Sequence, residues 1–516
     1  MREEADVAVP SAPRTGTPPR VQAPGSAPAP RALWLRGWEW AVIVAYAAGL
    51  AAVIPRHEPW FDEAQAWLIA RDSTLGELLT TRMRYEGTPP LWHLILLPAV
   101  RLHLPYATLN VIAAVISLVG VWLVVRRSPF PPVVRALLPF SFFIFYQYAV
   151  VARSYCLLAP LLFALAMVYP RRLEQPWRWL VLLALLANVS VHGFLIAGSL
   201  QVLHLIEVRR AWRSLGRIAR RTQLTTSAAL AAVAAIVLFE IRPPADLTAG
   251  STTNLSPLQF VRTAPENLVH ALGISVISVV VLLVTLWWLR RTRSLLLFVV
   301  PATAVLLLFS VKYFNVWHEG ALFLLWVFAL WVSFERSAVR LGSRRPRQAM
   351  TAALLLSLLV QVSWTLNSVR YDWGHNYSGS RAMAAYISAH GLEHRRIAAL
   401  NYGSVALLPY FDHDIFVDLN EGRGPSYYLW SKRQLTLPND AAVAVAMQPD
   451  YIVFAVKSYT QVLPCLGGYS AVHTVPGDLY WKTHLLEPER YILYARTPAG
   501  AANCVASSGS APTRFS

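Results

Sequence analysis

The chain has 516 residues, of which 55% are hydrophobic and only 14% charged, a balance that a water-soluble globular fold of this length would find hard to keep in solution. A formal net charge of +18 invites a nucleic-acid partner. The arginines, however, sit in clusters between long uncharged apolar runs, which argues for a membrane protein and no nucleic acid.

Residues 1 to about 32 are rich in Pro, Ala and Arg with almost no large apolar side chains, so they cannot bury a core and are expected to form a disordered cytoplasmic tail. The first apolar run starts near Trp38, late for a signal peptide, and reads as an uncleaved span. Runs such as Ala107 to Val125, Leu224 to Phe239, Asn267 to Leu289, Ser294 to Val311 and Gln348 to Val369 reach or approach the roughly 20 helical residues that cross a hydrocarbon core. In lipid a helix satisfies its own backbone, so these runs read as helices and not barrel strands.

Arginine-rich connections at 126–135, 171–178, 209–221, 290–293 and 336–347 alternate with arginine-poor ones near 57–105, 153, 192, 242–266 and 312–319, and the first set is expected inside. A consistent path has spans near 38–55, 107–125, 132–149, 154–169, 177–191, 193–208, 224–241, 270–289, 294–311, 318–334 and 349–369. The expected fold is therefore an all-α polytopic membrane protein of about eleven transmembrane helices over residues 33–370, in a bacterial-type plasma membrane. The apolar run Pro90 to Leu104 would invert every later loop if it crossed, and reads as interfacial or re-entrant.

Residues 371–516 have the composition of a soluble domain, expected outside as a small α/β unit. Arg396 to Asn401 and Tyr451 to Val456 look like buried strands, and Ser380 to His390 and Ala441 to Met447 like helices. Cys156 falls in a span, whereas Cys465 and Cys504 fall outside, where an oxidising compartment would permit a disulfide without requiring one. Tyr427-Tyr-Leu-Trp430 and Tyr480-Trp481 admit sugar stacking, but aromatics at such spacings are more often core.

The first outside loop, residues 56–106, is unusually acidic for this chain. Its run Glu58-Pro-Trp-Phe-Asp62-Glu63-Ala-Gln-Ala-Trp67-Leu suits a helix starting at Pro59, with Trp60, Ala64, Trp67 and Leu68 on one face laid on the membrane. A purely local reading makes Asp62 and Glu63 first-turn acids favoured by the helix dipole. Further on stands Arg84-Tyr-Glu-Gly-Thr-Pro-Pro-Leu-Trp92-His93.

These residues resemble the GT-C superfamily of glycosyltransferases, in the branch of protein O-mannosyltransferases and lipid A aminoarabinose transferases. That branch carries an Asp-Glu pair after the first span and a later Pro-Pro-Leu followed by an aromatic. Here Asp62-Glu63 and Pro89-Pro90-Leu91-Trp92 match, while Thr88 stands where His is usual. The turn Ala152-Arg153-Ser154-Tyr155 looks like an Arg-x-Tyr variant lacking a second Asp, so no metal ligand is assigned and a divalent metal stays open.

The resemblance implies a polyprenyl-phosphate-linked sugar donor, an inverting transfer to a glycan, lipid or protein hydroxyl, and Asp62 as general base with Glu63 orienting the acceptor or a neighbouring cation. Charge growing on the leaving phosphate calls for donors near the membrane surface, and Arg153, set between apolar runs where an unpaired cation is costly, is the leading one. Trp317-His318 stands where relatives carry Arg-His, so that role either passes to Lys312 or is absent. Tyr155, His192 and His318, with Tyr85, Glu86 and His93 of the first loop, complete the candidate substrate-binding set.

Two other functions compete. A transporter or lipid flippase would place ionisable groups at the membrane midplane and show related halves. A non-catalytic assembly protein would tolerate loss of Asp62. No HExxH, CxxC pair, Walker loop or dinucleotide-type glycine pattern is present.

Overall fold

The computed structural model describes residues 36–248, 257–311, 314–340, 344–422, 424–432, 441–461, 463, 464 and 466–497. The N-terminal tail, Lys312, Cys465 and Cys504 lie outside the described residues.

Seven described helices are long and apolar enough to cross a membrane: Thr108–Arg127, Pro132–Val150, Ser154–Arg171, Val191–Ala211, Arg217–Glu240, Val316–Ala338 and Arg345–Gly374. An eighth arises if Leu258–Leu272 and Ser275–Arg291, bent by 93°, count as one span. The other expected spans fall on the shorter apolar helices Gly37–Val53, Pro176–Ala187 and Leu296–Val311, and the run read as interfacial forms another, Leu91–Arg101.

Pro132–Val150 departs from the plain helix expected there. Pro139 lacks an amide hydrogen, so the helix tightens into a 3₁₀ turn at Leu138–Phe140. It then opens at Ser141 and resumes as the π-helix Phe143–Val150, every residue of which is buried. Long π-helical runs are rare and concentrate at functional sites. This one ends where Arg153 begins.

The C-terminal strands are β1 (Ile397–Leu400), β2 (Tyr451–Val456), β3 (Tyr469–Val475), β4 (Asp478–Trp481), β5 (His484–Pro488) and β6 (Arg490–Arg496). One sheet runs β1-β2-β6-β3, with β1 and β2 parallel and the other pairs antiparallel, and β4 and β5 form a separate hairpin. The continuous apolar runs of β1 and β2 follow from burial on both faces. Ile397, Ala399, Val453, Ala455, Tyr491 and Leu493 join the core shared with the helices. Ala398, Leu400, Ile452, Phe454, Ile492 and Tyr494 pack instead with Ala444 of the helix Ala441–Ala446.

Polar contacts divide the bundle into two ends. At one, Glu39 holds Arg126 and Arg135 at 3.5 and 3.2 Å, Arg172 pairs with Glu207, and Arg336 donates to the carbonyl of Arg293 at 2.8 Å. At the other, Asp62 meets Arg153, Tyr85 donates to Asp246, and Lys482 reaches Glu319. The sheet region packs on this second end.

Candidate active site

The helix Phe61–Asp72 was expected to lay one face on the membrane. Instead Phe61 and every residue from Glu63 to Ala70 are buried, because the helix is sandwiched between Leu91–Arg101 and the C-terminal segment. Its far end is bolted down as well. Arg71 donates to the carbonyl of Phe411 at 3.1 Å, and Asp72 accepts from the Ser426 amide at 2.8 Å.

Consecutive helical residues point about 100° apart, and this splits the Asp62-Glu63 pair. Glu63 is fully buried and closed off by protein donors: the amides of Trp60 at 3.2 Å and Ala152 at 2.7 Å, Asn110 Nδ2 at 3.4 Å and His57 Nε2 at 3.3 Å. It caps its own helix and grips the loop that carries Arg153. It faces a cation, His57, and is sealed from any acceptor.

Asp62 remains about a quarter exposed, at 27%, and pairs with Arg153 Nη2 at 2.7 Å. The guanidinium lies 5.6, 5.2 and 5.2 Å from the ring centres of Trp60, Tyr155 and Trp317, an aromatic box that favours a cation. Tyr155 in turn packs against His192 and His318, whose ring centres are 4.3 Å apart. His318 Nδ1 accepts from the Asn315 amide at 3.0 Å, which leaves the ring proton on Nε2. Both nitrogens of His192 and the indole nitrogens of Trp60 and Trp317 are shielded from solvent and have no hydrogen-bond partner among the described residues. Buried polar atoms are nearly always satisfied, so this cluster of orphans at one spot fits a polar ligand.

The C-terminal segment roofs this box. Lys457 Nζ lies 5.7, 5.7 and 5.5 Å from the ring centres of Trp60, Phe61 and Tyr402 and pairs with Glu489. Burial disfavours the ammonium, but Glu489, Tyr402 and Glu487 together outweigh it and hold Lys457 above its ordinary value. Glu487 is pushed up by burial, with Lys457 opposing and Glu489 and Asp62 adding to the shift. Glu86 is pushed up to about 7 by burial, with the Gln65 hydrogen bond opposing and Asp62 adding. The Asp62 charge thus adds to the upward shift of both carboxyls.

Behind Glu63 lies a buried network that has no counterpart in the motif. His57 directs Nε2 to Glu63 and Nδ1 to Asp372 at 3.1 Å, and Tyr146 donates to both Asp372 oxygens at 2.9 and 3.0 Å. Burial alone would lower the imidazole; the two carboxylates take it up to about 9. Arg381 then clamps the loop by donating to the carbonyls of Pro55 and His57 at 3.0 and 2.7 Å.

Of the other expected site residues, Tyr85 donates to both carboxylate oxygens of Asp246 at 3.1 Å. His93 stands apart: burial alone takes it down to about 4, and its Nδ1 has no hydrogen-bond partner among the described residues. Among the described residues, no three His, Cys, Asp or Glu side chains gather in a way that could hold a metal ion. His57, Asp372, Lys457 and Glu487 were missed. The one signal available was Asp372, a lone acid in the last turn of a long apolar helix.

No protein-family profile and no curated protein matches the chain. Among solved structures, the mycobacterial arabinofuranosyltransferase AftD, determined by single-particle cryo-electron microscopy, is similar at a TM-score of 0.42 and 11% identity, over 91% of this chain and 40% of that one. The chain spans well under half the length of that protein.

Proposed function

We propose that the chain is a membrane glycosyltransferase that moves a monosaccharide from a polyprenyl-phosphate donor to an extracytoplasmic hydroxyl with inversion. The observation that carries this reading is the Asp62–Arg153 pair at 2.7 Å, flanked by nitrogens of Trp60, Trp317 and His192 that have no partner among the described residues. A carboxylate able to take a proton and a cationic box able to receive a phosphate stand at the same mouth.

Asp62 removes the proton of the acceptor hydroxyl, whose oxygen attacks the anomeric carbon. The bond from that carbon to the phosphate oxygen breaks, the electron pair leaves with the phosphate, and Arg153 takes up the growing charge. A sugar ring does not fit between two groups in contact. The donor phosphate therefore has to draw Arg153 away from Asp62 before the base can work, and the pair seen here is the resting form. Glu63 acts through His57 and the Ala152 amide as a positioning residue.

The topology of eleven spans, with the N terminus cytoplasmic and residues 371–516 as an extracytoplasmic domain, is part of this reading. It is supported by the contact pattern, in which expected inside loops touch only inside loops and expected outside loops only outside ones among the contacts named above. A transport path is disfavoured by the acids of the long helices. Glu207, Glu240, Glu319, Glu335 and Asp372 all lie toward helix ends and not at mid-span.

The test is transfer of labelled sugar from polyprenyl-phosphate donors in nanodiscs. Asp62→Asn is expected to lower kcat by about 10²- to 10⁴-fold with the protein still folded, and Arg153→Gln to raise donor KM as well. Unchanged transfer by Asp62→Asn would sink the assignment of the base.

A further inference from the structure

Beside the Asp62 site lies a cleft of about 510 Å³, within the size range of small-molecule sites. It opens at the carboxyl ends of the parallel pair β1 and β2, where Leu400 and Phe454 contribute to its wall. Crevices at that end of parallel strands are where α/β sheets bind ligands. Asn401, the first residue beyond β1, lines the cleft at φ 71°, a conformation costly for any residue but glycine and concentrated at binding sites.

The lining has a definite chemistry. Tyr402, Tyr428 and Trp430 present rings whose centres are 4.8 to 5.9 Å apart, and Asn401, Gln461 and Thr248 add amide and hydroxyl groups. Among the described residues that line it, none is charged. Flat apolar faces beside neutral hydrogen-bonding groups suit a ligand with a C–H face and a rim of hydroxyls.

The wall is also fixed to the helix that carries Asp62. Gln65, one turn beyond Asp62, clasps the backbone of Tyr428 from both sides, accepting from its amide at 3.0 Å and donating to its carbonyl at 2.6 Å. Phe61 packs on Tyr402 and Trp430 at 4.8 and 6.3 Å between ring centres. Trp430 is pinned through its carbonyl by the Thr248 amide at 3.1 Å.

We infer that this cleft is the acceptor site and that the acceptor is a neutral glycan, stacked on Trp430 and Tyr402 with its terminal hydroxyl directed toward Asp62. This rests on the glycosyltransferase reading and names its acceptor.

The experiment is calorimetric titration of the full-length protein in nanodiscs with neutral tetrasaccharides of mannose, arabinofuranose, galactose and glucose, run beside the transfer assay. At least one is expected to bind, Trp430→Ala and Gln461→Ala each to weaken it by about tenfold, and Trp430→Phe to retain binding. In transfer, Trp430→Ala is expected to raise acceptor KM while leaving donor KM unchanged. Absence of binding to every tetrasaccharide, or binding indifferent to both Trp430→Ala and Gln461→Ala, overturns the inference. So does efficient transfer to a serine-rich peptide or a lipid that these variants leave untouched. Tetrasaccharide binding that depends on Trp430, without transfer from any donor, keeps the glycan site and removes the glycosyltransferase reading.

Discussion

Two adjacent carboxylates on one helix meet different fates because their side chains point in different directions: Glu63 is enclosed by four protein donors while Asp62 keeps a route to solvent. Glu63→Gln removes a buried charge and leaves the His57 imidazolium with Asp372 alone, a change expected to cost about 3 kcal/mol, read as a lower melting temperature in nanodiscs. His57 itself gives a pH signature. Its folded-state value of about 9 lies above the ordinary value of about 6.5. The stability it adds is therefore fully present below the unfolded value and is lost as pH rises through the folded one. Thermal stability is expected to decline between about pH 7 and pH 9 for this reason, and His57→Asn to remove that slope. Glu58, pushed up to about 7 by burial against the pull of Arg381 and His57, acts in the same direction at lower pH, and Glu58→Gln separates the two.

At the scale of elements, the π-helix Phe143–Val150 approaches Gly320 closely. A Cβ at Gly320 would run into the Tyr148 hydroxyl and the Phe143 ring, and Tyr148 donates to the carbonyl of Trp317 at 2.8 Å. Gly320→Ala is expected to cost about 1–3 kcal/mol by overpacking and, by shifting Trp317 against Arg153, to lower transfer more than its melting temperature suggests. Helices and the strands β1 and β2 were legible in the sequence because uninterrupted apolar runs have few other solutions, in lipid or between two buried faces. The break at Ser141 was only hinted at by Pro139. The His57–Asp372 bond joins residues 315 positions apart, and no local pattern reports such a pairing. In the candidate site, the sequence singled out the acids and Arg153, and the structure brings Asp62 and Arg153 together. Which acid turns inward, and that Lys457 and Glu487 arrive from the sheet region, depends on tertiary packing alone.

At the scale of the molecule, the sheet region is docked by a lysine inserted from the β4–β5 turn. Lys482, in left-handed conformation at φ 56°, reaches Glu319 at 2.5 Å and the His270 carbonyl at 2.9 Å. Burial lowers its pKa while Glu319 pulls it back up. Lys482→Met strands Glu319 and is expected to cost about 3–5 kcal/mol, with faster proteolysis near residues 371–380, and adding Glu319→Gln should recover most of the loss. The Asp62–Arg153 contact of 2.7 Å also works as a parity check on the chain's path. Two residues in contact sit on one side of a core about 30 Å thick, so the chain between them crosses it an even number of times. Of the three apolar helices between them, Leu91–Arg101, Thr108–Arg127 and Pro132–Val150, the proposed topology lets the two long ones cross and leaves the short one on the surface. In the proposed topology the same rule, applied between Asp246, tied to Tyr85, and His270, tied to Lys482, lays Leu258–Leu272 along the membrane, with the 93° bend where the chain turns from the surface into the bilayer.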